Sequence, residues 1–256
     1  MRRFAVLALL LACLPAAAAA RQIVQQGHLR VTFEGQLQPR ALPRERDAPA
    51  TVRLAGSVRT TDGSTPPQLR RLTIAMNRAG RVSVAGLPSC QAAELQQTST
   101  ERALVLCRNA LVGHGHFAAN VDFPGAPAFP ARGAVLVFND SRPGHMGLLL
   151  HLYGSTPVRA AFVLPFTVSR RAEGPFGTVF SAHLPRLASD LGYVTDIDLT
   201  IGRRYRYRGR RRSFISASCA APSGFPGAVY RLAEATFDFA GGTHLVSNQP
   251  GDCRVR

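Results

Sequence analysis

The patterning of the chain predicts an all-β fold: an antiparallel, β-sandwich-like domain with one short helix and two disulfides. Three observations carry that expectation. Apolar and polar residues alternate with period two over most of the chain, three central segments are almost continuously apolar, and four cysteines remain once an N-terminal leader is set aside.

The leader comes first. Arg2 and Arg3 precede an apolar run from Phe4 to Leu14, and Pro15 with an alanine tract follows. An Ala-x-Ala site then predicts a signal peptide over residues 1–20, cleaved after Ala20, and an exported all-β domain over 21–256. The run is too short to span a bilayer, and no later stretch reaches the roughly 18 apolar residues a membrane helix needs. The segment "LLAC" at 10–13 is a loose lipobox that would anchor a lipoprotein through Cys13, but the apolar run continues past it without a polar tether.

Cys90, Cys107, Cys219 and Cys253 form an even set in a chain expected outside the cytoplasm, so they read as two disulfides. Three pairings are open. The sequential one, Cys90–Cys107 and Cys219–Cys253, closes two short loops and would contribute about 3 and about 4 kcal/mol on the loop-entropy account. With no Cys-x-x-Cys pair, a zinc site is disfavoured.

The strands follow from alternation. Leu29, Val31 and Phe33 face one way and Arg30, Thr32 and Glu34 the other. Val52, Leu54 and Val58 alternate with Arg53, Ser57 and Arg59; Leu72, Ile74 and Met76 run into a turn at "NRAG", with Val82 and Val84 returning. Phe117, Ala119, Val121 and Phe123 form another inward row. The segments "AVLVF" (134–138), "GLLLHLY" (147–153) and "AAFVLPF" (160–166) are apolar throughout and predict strands covered on both faces, the first two joined as a hairpin by Pro143-Gly144. The stretch 124–132, rich in proline, is the one place where two lobes would divide. Thr98 and Glu101 have capping-box spacing ahead of a short helix carrying Cys107, and a second short turn fits 185–192.

The formal charge is +16, all of its positive side chains arginine and none lysine. That bias and the expected export argue against specific nucleic-acid binding and leave an anionic cell-surface polymer as the natural counterpart. The densest run is "RRYRYRGRRR" (203–212). A hairpin of 196–201 with 205–210, closed by Gly202-Arg203-Arg204, would set Tyr205 and Tyr207 against Ile201 and Leu199, and Asp198 and Asp196 against Arg208 and Arg210. Arg203, Arg204, Arg211 and Arg212 are then left as candidate polyanion contacts, around a break at Gly209.

Catalytic signals are weak. His114 and His116, with Asp122 further along the same face, are weak metal-ligand candidates. Asp140, Ser141 and His145 fall in one loop, where triad geometry is rarely achieved, and no GxSxG or HExxH occurs. His151, inside an apolar strand, reads as a hydrogen-bonded core residue. No cofactor is expected. A cavity for a small apolar ligand is compatible with strands this rich in Leu, Val and Phe.

The segments "GYVTD" (192–196), "IGRRYRYRG" (201–209), "SFISASC" (213–219), "APSGFPGA" (221–228) and the closing "CRVR", together with "PPQLRRLTIAMNRAG" (66–80) and "ALVGHGHFAANVDFP" (110–124), resemble a family of secreted β-rich proteins of high-GC actinobacteria. The resemblance runs from about residue 28 to the end. It implies export and the cysteine pattern, and brings neither an activity nor site residues. The expectation is a secreted or envelope protein acting by binding or as structure; alternatives are a carrier of an apolar ligand, then a hydrolase or metal-binding protein.

Overall fold

The alternating N-terminal segments form β1 (Gln22–Gln26), β2 (Leu29–Gln38), the short β3 (Ala41–Leu42) and the long β4 (Ala48–Thr60). β5 (Leu69–Asn77) and β6 (Gly80–Val82) precede two short helices, α1 (Ala92–Leu95) and α2 (Thr100–Cys107). Then come β7 (Leu111–Val121), β8 (Phe129–Asn139), β9 (Gly147–Thr156), β10 (Ala160–Arg170), β11 (Phe176–His183) and β12 (Gly192–Ile201). The chain ends with β13 (Arg204–Tyr207), β14 (Arg210–Ser213), β15 (Ile215–Ala217), β16 (Gly227–Phe239) and β17 (His244–Val255). This computed structural model describes residues 21–121, 128–156, 159–184 and 192–256; Cys13, Asp122, Phe123 and the turn expected before Gly192 lie outside them.

Strands account for 64% of the structure and helices for 8%. Thirteen strands follow one another in one sheet, in the order β1-β2-β4-β12-β7-β8-β9-β10-β11-β5-β16-β17-β3. A twisted sheet this wide cannot stay open and flat, and it curls into a half-barrel. The two layers expected of a sandwich are thus limbs of one curled sheet. β2 faces β16 across the curl, where the Phe33 and Phe237 rings meet edge-on with centroids 6.3 Å apart, packed with Leu29, Val31, Ala235 and Leu245. The sheet also runs across the proline-rich stretch, since Val121 on β7 pairs with Phe129 on β8.

β8 and β9 are covered on both sides, as expected, but β10 is not: α2 lies over β8 and β9, and Pro165, Thr167 and Ser169 on the outer face of β10 are exposed. Val135, Val137, Leu148 and Leu150 point into the half-barrel, while Leu136, Phe138 and Leu149 point outward beneath α1 and α2. β8 and β9 are joined as the expected hairpin. The outer layer is tied by the Cys90–Cys107 disulfide, and Cys219–Cys253 ties the segment after β15 to β17. α2 starts one residue later than its capping pattern suggests: Ser99 is the N-cap and accepts from the Arg102 N–H at 3.3 Å. Thr98 instead donates its hydroxyl to the Leu95 carbonyl at 2.7 Å.

Two pairings differ from those the alternation predicts. β6 does not return beside β5 but pairs with β15. β12 does not form a hairpin with 205–210; it lies between β4 and β7. Asp198 is therefore held by Arg53, whose Nε donates at 3.1 Å, and Asp196 by Arg59, at 2.8 and 2.9 Å. Arg53 and Arg59 sit on a strand with the same alternation, so pattern alone could not choose between them and the nearer arginines. Leaving β12, the chain folds β13 and β14 into an arm of their own and then rejoins the edge of β4 through β15. The arm turns at Arg208-Gly209, both with positive φ (49° and 73°), as a two-residue hairpin turn requires.

Candidate functional site

The sequence-predicted chemistry does not assemble. His114 and His116 are exposed on β7, opposite Thr200 and Asp198. The tight cluster of metal-ligating residue types among the described residues is Cys90, Glu94 and Cys107, and its two sulfurs are bonded to each other. In the 139–147 hairpin Asp140 pairs with Arg142 at 3.1 Å, and the Ser141 hydroxyl accepts from the Gly147 N–H at 3.3 Å. No Ser–His–Asp relay forms there among the described residues. His151 is fully buried, and its Nε2–H donates to the Thr98 carbonyl at 3.0 Å. Burial holds its pKa below the ordinary 6.5, against the opposing pull of that hydrogen bond. It is a neutral core histidine.

The arginine run divides by role. Arg203 donates to the Asn109 and Leu111 carbonyls at 2.7 and 2.9 Å, fixing the root of the arm. Arg204 is exposed. Tyr205 and Tyr207 do turn inward, as expected, but onto the 83–86 loop rather than onto Leu199. The Tyr205 hydroxyl donates to the Ala85 carbonyl at 2.9 Å, and the Tyr207 ring fills the space where Gly86 (φ 79°) lacks a Cβ. Arg211 and Arg212 reach a groove of about 570 Å³ whose walls also include Arg78 and Arg81 from the end of β5 and the start of β6, and Arg170 and Arg171 from the end of β10.

At the opposite ends of the same strands lies an apolar mouth. Residues that alternation turns inward meet here from six strands: Val58, Leu72, Leu152, Leu164, Phe166, Ile197 and Phe237 line a cavity of about 150 Å³. Its named polar groups are mostly engaged. The Thr32 and Ser57 hydroxyls bond each other at 2.6 Å, Asn120 donates to the Tyr193 hydroxyl at 2.9 Å, and Asp196 is neutralised by Arg59. The exception is Gln68, brought over the mouth by the Pro66-Pro67 segment: its side-chain Nε2 is buried with no hydrogen-bond partner among the described residues.

No protein-family model, curated protein or solved structure matches this chain. Sequence reasoning missed Gln68, which stands in a loop with no motif around it. It also missed Arg78, Arg81, Arg170 and Arg171, whose only signal is arginine at strand ends. Among the described residues no helix is long and apolar enough to cross a membrane.

Proposed function

We propose that this is an exported binding protein that takes up a small, neutral, largely apolar molecule in the mouth of the half-barrel. The observation that carries the reading is the apolar cavity with one unpartnered amide donor, Gln68 Nε2, in its wall. Export is supported by the leader pattern and by the two disulfides. The volume sets the size of the ligand: a cavity of about 150 Å³ lined by aliphatic and aromatic groups holds one benzene-sized ring or a comparable short chain. The paired Asp196 leaves no free charge there to hold an ionic ligand. A buried donor without a partner costs about 1–3 kcal/mol, and a carbonyl or ester oxygen on the ligand, met by a turn of the Gln68 side chain towards the cavity, would recover it. This corresponds to the apolar-carrier alternative, with an acceptor oxygen added to its description.

The test is native mass spectrometry of gently purified protein, followed by titration with a small aryl ketone and with the matching hydrocarbon. Retained mass that leaves on denaturation, and saturable 1:1 binding with the ketone favoured about fivefold, are expected; that preference corresponds to about 1 kcal/mol of hydrogen bonding. Leu164→Trp should abolish binding by filling the cavity, and Gln68→Leu should erase the preference for the ketone. Binding that survives Leu164→Trp would place the ligand elsewhere and end the proposal.

A further inference from the structure

The basic groove at the other end of the strands has no part in that reading. Three segments far apart in sequence converge on it, each contributing two arginines: Arg78 and Arg81 around the β5–β6 turn, Arg170 and Arg171 at the end of β10, and Arg211 and Arg212 on β14. The acidic residue in the wall is Asp47, already paired with Arg81 at 3.2 Å. Arg78 is held in place through its guanidinium, which donates to the Gly174 carbonyl at 3.0 and 2.8 Å. Arg170, Arg171, Arg211 and Arg212 have no ion pair or side-chain hydrogen bond among the described residues.

Bringing like charges together opposes folding, and here no carboxylate offsets the four free guanidinium groups. They therefore form a concave surface prepared for an external anion. Two features narrow its class. The guanidinium fork matches the oxygens of phosphoryl groups in bidentate geometry, whereas a single carboxylate would engage one or two of the six. The walls otherwise consist of glycine, serine and threonine with Pro49 and the buried Val82, and present no exposed large apolar side chain to enter a bilayer. We infer that this groove is a binding site for a ligand carrying several phosphoryl groups, held by Arg170, Arg171, Arg211 and Arg212 around the anchored Arg78 and Arg81.

The probe is inorganic tripolyphosphate, titrated calorimetrically into the full mature protein at low and at physiological salt. One saturable site is expected, with affinity falling as salt rises. Arg171→Ala with Arg212→Ala should weaken it at least tenfold with the thermal midpoint preserved. Arg30→Ala with Arg254→Ala, which removes the same charge from exposed positions outside the groove, should change it less than twofold. Equal losses in the two double variants, or no saturable binding, would overturn the inference and leave diffuse charge attraction. A parallel arm with phosphatidylglycerol vesicles distinguishes the source of the phosphoryl group. Vesicles displaced by tripolyphosphate and released by the groove variant indicate a lipid headgroup, and vesicles ignored while tripolyphosphate binds indicate a soluble phosphorylated molecule. Vesicle binding that the groove variant retains counts against the site.

Discussion

At one end of the half-barrel, β5 and β10 turn Leu72, Leu164 and Phe166 into an apolar mouth; at the other, the same two strands finish in Arg78 and in Arg170 and Arg171. Within a strand the pleat sends alternate side chains into the lumen, where only apolar groups avoid a desolvation cost. Towards the strand ends and on the β13–β14 arm that constraint lapses, and the side chains face water. One end is thus built from residues the fold must bury, and the other from residues that packing leaves free. The first end should matter for stability and the second for an external charge.

The largest expected effect belongs to the apolar end. Phe166→Ala should cost about 3 kcal/mol, near the lower bound for such truncations because the mouth already holds open space. Urea denaturation measures it, and a loss under about 1 kcal/mol would mean that the lining is not packed as described.

A smaller effect serves as a control, because it touches neither end. His151 lies on the outward face of β9 under the helices, with its pKa depressed by burial. Above about pH 6.5 it is neutral in both folded and unfolded chains and has no effect. As pH falls below that value the unfolded chain takes up a proton that the folded chain refuses. Stability should then drop by up to about 1.4 kcal/mol per pH unit until the folded group titrates as well. Comparing urea midpoints of wild type and His151→Leu at pH 7.5 and 5.5 isolates this contribution, and identical pH slopes would show that His151 is not held neutral.

The smallest effect is expected at the basic end. Arg171→Ala with Arg212→Ala should shift stability by no more than about 0.5 kcal/mol, in the stabilising direction at low salt, because repulsion is relieved and no internal partner is lost. A destabilisation comparable to that of Phe166→Ala would make these arginines structural and erase the contrast between the ends.

Much of the local structure was legible beforehand. Alternation placed the inward row Leu29, Val31 and Phe33, and continuous apolarity marked β8 and β9 as covered on both faces, while the same signal misled for β10, whose outer face is exposed. The inward turn of Tyr205 and Tyr207 was visible too, although not what they touch. The misread pairings share a cause. Asp196 and Asp198 had suitable arginines ten or so residues away and equally suitable ones on β4, 137 and 145 residues away. Register rules rank the faces of a strand but do not rank its partners.

What the sequence by itself determined is therefore what depends on neighbours along the chain: the strand faces, the short helix, and a break at Gly209. Only the tertiary structure decided that one sheet would curl until β2 met β16, that three arginine-bearing segments would share a groove, and that the Gln68 amide would be left without a partner beside an apolar cavity. Those outcomes depend on distances between segments remote in sequence, which are set when the whole sheet closes on its core and which no local pattern encodes.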